Sequence, residues 1–144
     1  MSEQKALRLS YITLAVTDFT QMFAFYQSLG FPLHNLGKNP EQPFAMFAMG
    51  SVILALYPKP LLAKQAGCII EGQNTAMSLS LNVADKSKVG TVLNLATSHG
   101  ATITRRPFQP EWGGYCGYFK DPEGNLWEIV FHENYQFPEA HSQM

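Results

Sequence analysis

Apolar positions along this chain keep switching between two periods. From Leu9 to Val16 they alternate, with Ile12, Leu14 and Val16 on one side and Tyr11, Thr13 and Ala15 on the other, which is the period of a strand. Phe19, Met22, Phe23, Tyr26 and Leu29 then fall at helical spacing. Asp18 can cap that helix with Gln21 as a box-like partner, and Gly30 supplies a left-handed stop. Phe31 to Leu36 begins a second strand, and Phe44–Met49 with Ser51–Tyr57 reads as a hairpin turning near Gly50. Pro58 and Pro60 end the last arm, Leu61 to Ala66 is a short helix, and Gly67 to Asn74 is a linker.

The pattern then starts again. Thr75 to Val83 places Leu79, Leu81 and Val83 on one face and Ser78, Ser80 and Asn82 on the other. Asp85 is placed to cap a helix with Val89, Val92, Leu93 and Ala96 on its stripe, closed by Gly100. Ala101–Phe108, Tyr115–Lys120 and Asn125–His132 are three more strands. The last two flank Asp121-Pro122-Glu123-Gly124, residues suited to a type I turn. In the final strand Trp127, Ile129 and Phe131 point one way; Leu126, Glu128, Val130 and His132 point the other. A carboxylate between apolar neighbours is either on a wet face or has a function.

L-A-V-T-D at Leu14–Asp18 returns as L-N-V-A-D at Leu81–Asp85, with the same order of elements after it. This is an internal duplication. The expected organisation is a first βαβββ module over 9–57, a linker with a short helix over 58–74, a second βαβββ module over 75–133, and a loose tail over 134–144. Units this small bury their own apolar faces poorly, so the two should share a sheet or core.

Composition narrows the function classes. With 46% hydrophobic and 15% charged residues in 144, the chain has material for a real core. A net charge of −1 and the lack of a basic cluster beyond Arg105-Arg106 argue against nucleic acid as a partner. No run approaches membrane-spanning length, and the first ten residues lack a signal-peptide core, so a cytoplasmic location without membrane attachment is expected. Cys68 and Cys116 are too few and too far apart for a disulfide framework or a zinc knuckle, and are expected to be free thiols.

A duplicated βαβββ chain with V-x-D before each helix, F-Y…L-G-F at Phe25–Phe31 and D-P-E-G followed by W-E resembles the vicinal oxygen chelate superfamily of glyoxalase I, extradiol dioxygenases and bleomycin-resistance proteins. W-G-G-Y-C-G-Y-F at Trp112–Phe119 is similar to an uncharacterised glyoxalase-like bacterial subgroup. The resemblance implies an α+β fold: two modules forming an open, barrel-like mixed sheet around a cavity, with helices outside. It also implies a homodimer and allows a swap of modules between chains. Metal-using relatives carry ligands at positions that fall here on Tyr11, Ala55, Ser78 and Glu128. Only Glu128 is metal-capable, so neither a metal nor another cofactor is expected. His132 shares the face of Glu128 but lies about 13 Å along the strand, and His34, His99 and His141 fall elsewhere.

What the resemblance leaves is a cavity with aromatic walls and sparse polar groups. The expected ligand-binding residues are Tyr11, Thr13, Tyr57, Ser78, Ser80, Trp112, Tyr115 and Glu128. Trp112 reads equally as a lid beside Gly113-Gly114 or as a plug under the loop; Trp127 and Cys116 read as core. Three functions compete: a metal-free protein binding an aromatic or planar cationic small molecule, with Glu128 as counter-charge; a lyase, isomerase or dioxygenase-like enzyme using Glu128 as general acid or base or as residual metal ligand; and a scaffold whose surface binds a protein.

Overall fold

The computed structural model describes residues 6–138. Strand β1 (Tyr11–Val16) leads into helix α1 (Phe19–Ser28), followed by β2 (Leu33–Leu36), β3 (Ala45–Met49) and β4 (Val52–Pro58). Helix α2 (Lys59–Ala66) connects to β5 (Leu79–Asn82), α3 (Ser87–Ser98), β6 (Thr102–Phe108), β7 (Tyr115–Lys120) and β8 (Leu126–Phe131). The fold is α+β, with two four-stranded mixed sheets ordered β1-β4-β3-β2 and β5-β8-β7-β6. In each the first and last strands of a βαβββ unit pair in parallel and the rest antiparallel. The repeat seen in the sequence is therefore a repeat of topology. The sheets are open; they do not close into a barrel within one chain.

Strand parity follows the alternation. Leu14, Val16, Trp127 and Ile129 are buried on the helix side, whereas Tyr11 is 49% exposed on the other face. One apolar core runs through both halves. Phe25 of α1 meets Phe119 of β7 at 6.0 Å between ring centroids, and Tyr26 and Phe31 both lie 5.7 Å from Trp127. Neither module could bury these rings alone, which is why the halves share a core instead of standing side by side.

Several boundaries differ from the periodic pattern, each for a local reason. Phe31 does not begin β2: its N–H closes the end of α1 on Tyr26 O, and its ring turns into the core. α2 starts two residues before Leu61 because proline is tolerated in a helix's first turn, where Pro60 sits. β5 is confined to Leu79–Asn82, since its parallel partner β8 offers a matching ladder only from Trp127 to Val130. Asp18 caps α1 through Gln21 N at 3.0 Å. Asp85 does not cap α3: Lys86 occupies the cap position without a side-chain bond, and only the Asp85 carbonyl is used, by Lys88 N.

Candidate functional site

The site is built on the open face of the second sheet. Cross-strand register places Ser80, Glu128, Tyr118 and Arg105 directly opposite one another on four adjacent strands. Ser80 Oγ donates to Glu128 Oε1 at 2.6 Å, and Tyr118 OH donates to Oε2 at 3.1 Å. The carboxylate is half-buried with both oxygens engaged, yet its lone pairs are not exhausted. Burial, then the Glu128 charge, pushes the Tyr118 phenol up to about 12, so at neutral pH it remains the donor. The same two causes push the Cys116 thiol up to about 11, which keeps this buried sulfur protonated and a poor nucleophile. Arg105 is exposed at the row's far end, its guanidinium 3.7 Å above the Phe108 ring. Counting register outward from the Asp121 turn finds Tyr118 from sequence; the pattern of candidate residues alone omits it.

The candidates do not all converge. Ser78, Ser80 and Glu128 belong to the second half, and Tyr11, Thr13 and Tyr57 to the open face of the first sheet. The hollow that Ser78 and Ser80 line is bounded on the first sheet by Ile12 and Leu54 and not by Tyr11, Thr13 or Tyr57, so the described chain does not put the two sets around one ligand. Thr13 instead lines a small hollow of about 160 Å³ beside α2, with Lys59, Glu71 and Glu123. Trp112 is 57% exposed and stacks on His132 at 5.9 Å, which makes it a surface ring and not a plug. Tyr115 pairs with Phe131 in register and packs against the core, on the opposite side of the sheet from Glu128, with Lys86 Nζ over its ring at 4.8 Å. A hollow of about 580 Å³ opens between the halves; Ser78 and Ser80 line it but Glu128 does not.

The Asp121–Gly124 turn does more than reverse the chain. Gly124 N donates to Asp121 O at 2.9 Å, as a turn of this type requires. The Asp121 carboxylate is buried and accepts from Tyr26 OH, Asn125 Nδ2 and the backbone N–H groups of Glu123 and Asn125. Tyr26 OH in turn accepts Trp127 Nε1–H at 2.9 Å. Glu123 takes the N–H groups of Thr17 and Asp18, both at 2.7 Å, at the entrance to α1. A turn of the second half thus secures the first helix of the first half. Turn chemistry in the sequence points to Asp121 but not to a partner 95 residues away.

The donors present do not fit the transition metals of metal-using relatives. Tyr11, Ala55 and Ser78 offer a phenol, a methyl and a hydroxyl; Tyr11 and Ala55 lie on the first sheet, and Ser78 just before the second. Among the described residues no three His, Cys, Asp or Glu side chains come together. His99 ends α3, and His132 Nδ1 accepts Asn134 N; His141 lies outside the described residues.

Two βαβββ units sharing one core, each with one face left open, define a protein of the paired-module α+β class. The chain belongs to the Glyoxalase/Bleomycin resistance protein/Dioxygenase superfamily, whose sequence model matches residues 8–129. It is 30% identical over 129 residues to the uncharacterized protein YraH of Bacillus subtilis (strain 168), covering 85% of this chain and 97% of that one. A glyoxalase-related enzyme from Fulvimarina pelagi superposes with a TM-score of 0.80 at 26% identity, covering 88% of this chain and 89% of the other. Lactoylglutathione lyase from Agrobacterium tumefaciens shares the fold, with a TM-score of 0.69 at 20% identity over 93% of this chain and 100% of that one.

Proposed function

We propose that this protein binds a small planar or aromatic molecule bearing a cation or strong hydrogen-bond donor, without a metal. The observation that carries this is the Glu128 carboxylate, oriented by Ser80 and Tyr118 on an open sheet face whose hydroxyl donors cannot neutralise its charge. A carboxylate fixed on both oxygens loses little freedom when a ligand donor arrives, the usual route to affinity from few polar contacts. The second wall of the site comes from another copy of the chain, which lays the Tyr11 and Tyr57 side of its first sheet over Glu128. Leu7, Leu9 and Tyr11, all exposed along the entry to β1, support such a homodimer.

The test is a thermal-shift and titration screen with planar aromatic cations such as acridine dyes. Binding that weakens at least about tenfold, or 1.4 kcal/mol, in Glu128→Gln and to a lesser extent in Tyr118→Phe is expected. Equal binding by wild type and Glu128→Gln sinks the proposal. Metal-independent turnover lost in Glu128→Gln would move the acid–base reading ahead of simple binding.

A further inference from the structure

The hollow of about 580 Å³ between the two halves is chemically unlike the Glu128 face. One wall is Ile12, Met49, Val52 and Leu54 of the first sheet; the other is Leu79, Leu81 and Trp127 of the second. Both β1 and β5 are edge strands, so the hollow opens along the seam where the two sheets fail to join. Ser78, Ser80 and Asn82 give one side a short polar strip, in which the Ser80 hydroxyl is already committed to Glu128, and among the described residues no charged side chain lines the space. Tyr135 and Phe137, beyond the last strand, lie across it. Their rings meet edge-on at 4.9 Å and 86° and remain 44% and 53% exposed, so they hold each other more than they are held by the core.

We infer that this seam is a second binding site, for an uncharged, mainly apolar molecule with one hydrogen-bonding group. The volume lies within the range of sites for drug-sized ligands, and the make-up, apolar walls with a few polar groups on one side, is that of such sites. Glu128 lies behind Ser80 and does not line the hollow, so an ionic ligand meets no counter-charge among the described lining residues, which separates this site from the one at Glu128. Asn82 of β5, with Ser78 just before that strand, receives the ligand's hydrogen-bonding group, while the Tyr135–Phe137 pair closes over its apolar body. Because the ligand touches both halves, its binding stabilises the fold as a whole.

Trp127 in the wall makes the site readable. The chain has two tryptophans, so a Trp112→Phe background leaves Trp127 as the sole indole. Titration with N-phenyl-1-naphthylamine, a neutral apolar probe with one N–H, should give saturable energy transfer from Trp127 and a rise in Tm. Leu81→Phe, which narrows the space, should weaken transfer at least about tenfold. Tyr135→Ala with Phe137→Ala, both exposed in a segment outside any strand, should speed probe release without unfolding the chain. Saturating acridine cation should not displace the probe. No saturable transfer, transfer indifferent to both Leu81→Phe and the double alanine variant, or loss of transfer as the chain dimerises on concentration would each overturn the inference, the last because a second copy would then fill the seam.

Discussion

Asp121 shows how much a single residue can hold. Burial raises its carboxyl pKa even though four donors point at it, because those hydrogen bonds offset only part of the desolvation cost. Its folded value therefore lies above the unfolded one. The stability it contributes is full below the ordinary carboxylate value and declines as pH rises through the raised value. Urea unfolding between about pH 4 and pH 7 should show wild type losing stability relative to Asp121→Asn as pH rises. A difference that stays flat across that window would show that burial does not raise the Asp121 carboxyl pKa in the folded chain. The sequence makes Asp121 legible as a turn residue and Tyr26 as part of a helical stripe. That the two meet is not legible, because local pattern carries no information about which buried hydroxyl faces which buried acid.

At the level of elements, the sites where backbones approach closely decide the packing. Gly117 of β7 is such a site: a Cβ there would lie 2.5 Å from Leu93 Cδ1 of α3 and 3.1 Å from the Arg105 carbonyl of β6. Leu93 can swing a little, but the carbonyl is pinned in the sheet. Gly117→Ala should cost about 1–3 kcal/mol of unfolding free energy, measured by denaturant titration, as overpacking usually does. A neutral substitution would mean that α3 rides more loosely on the second sheet than the contact implies. Gly114 shows the same tightness in the loop before β7, with φ +78 and the Phe131 carbonyl 2.8 Å from where a Cβ would stand. Strand faces are the most legible feature at this scale, since alternation reports directly which side is buried. Helix starts are less so: Asp18 and Asp85 follow the same motif, yet only the Asp18 side chain caps its own helix. The difference lies outside the motif, in Glu123, which steadies the backbone at Thr17 and Asp18.

For the whole molecule, a core threaded through both halves predicts that they melt together. Thermal unfolding of the Trp112→Phe variant, followed by Trp127 fluorescence and by far-ultraviolet circular dichroism, should give one coincident transition. Two separated transitions would mean that the modules stand independently and that the ring contacts of Phe25, Tyr26 and Phe31 across the halves are incidental. The duplicated architecture could be read from the repeat of Leu14–Asp18 in Leu81–Asp85. The division of the candidate residues between two separate open faces could not, because the spacing of strands along a chain does not say where the faces of two sheets come to lie. Glu128 stands out in the sequence by its place among apolar neighbours, whereas Tyr118, which orients it, is legible only from strand register.

The turn at Asp121–Gly124 also bears on ancestry. Its counterpart in the first half is the tight reversal at Gly50, which carries no acid that could grip a helix entrance or meet a tyrosine hydroxyl. The two copies are thus no longer equivalent parts: the later one supplies a latch and the earlier one the catch. A tandem of two leading halves would keep every strand of the repeat and still be left without its fastening.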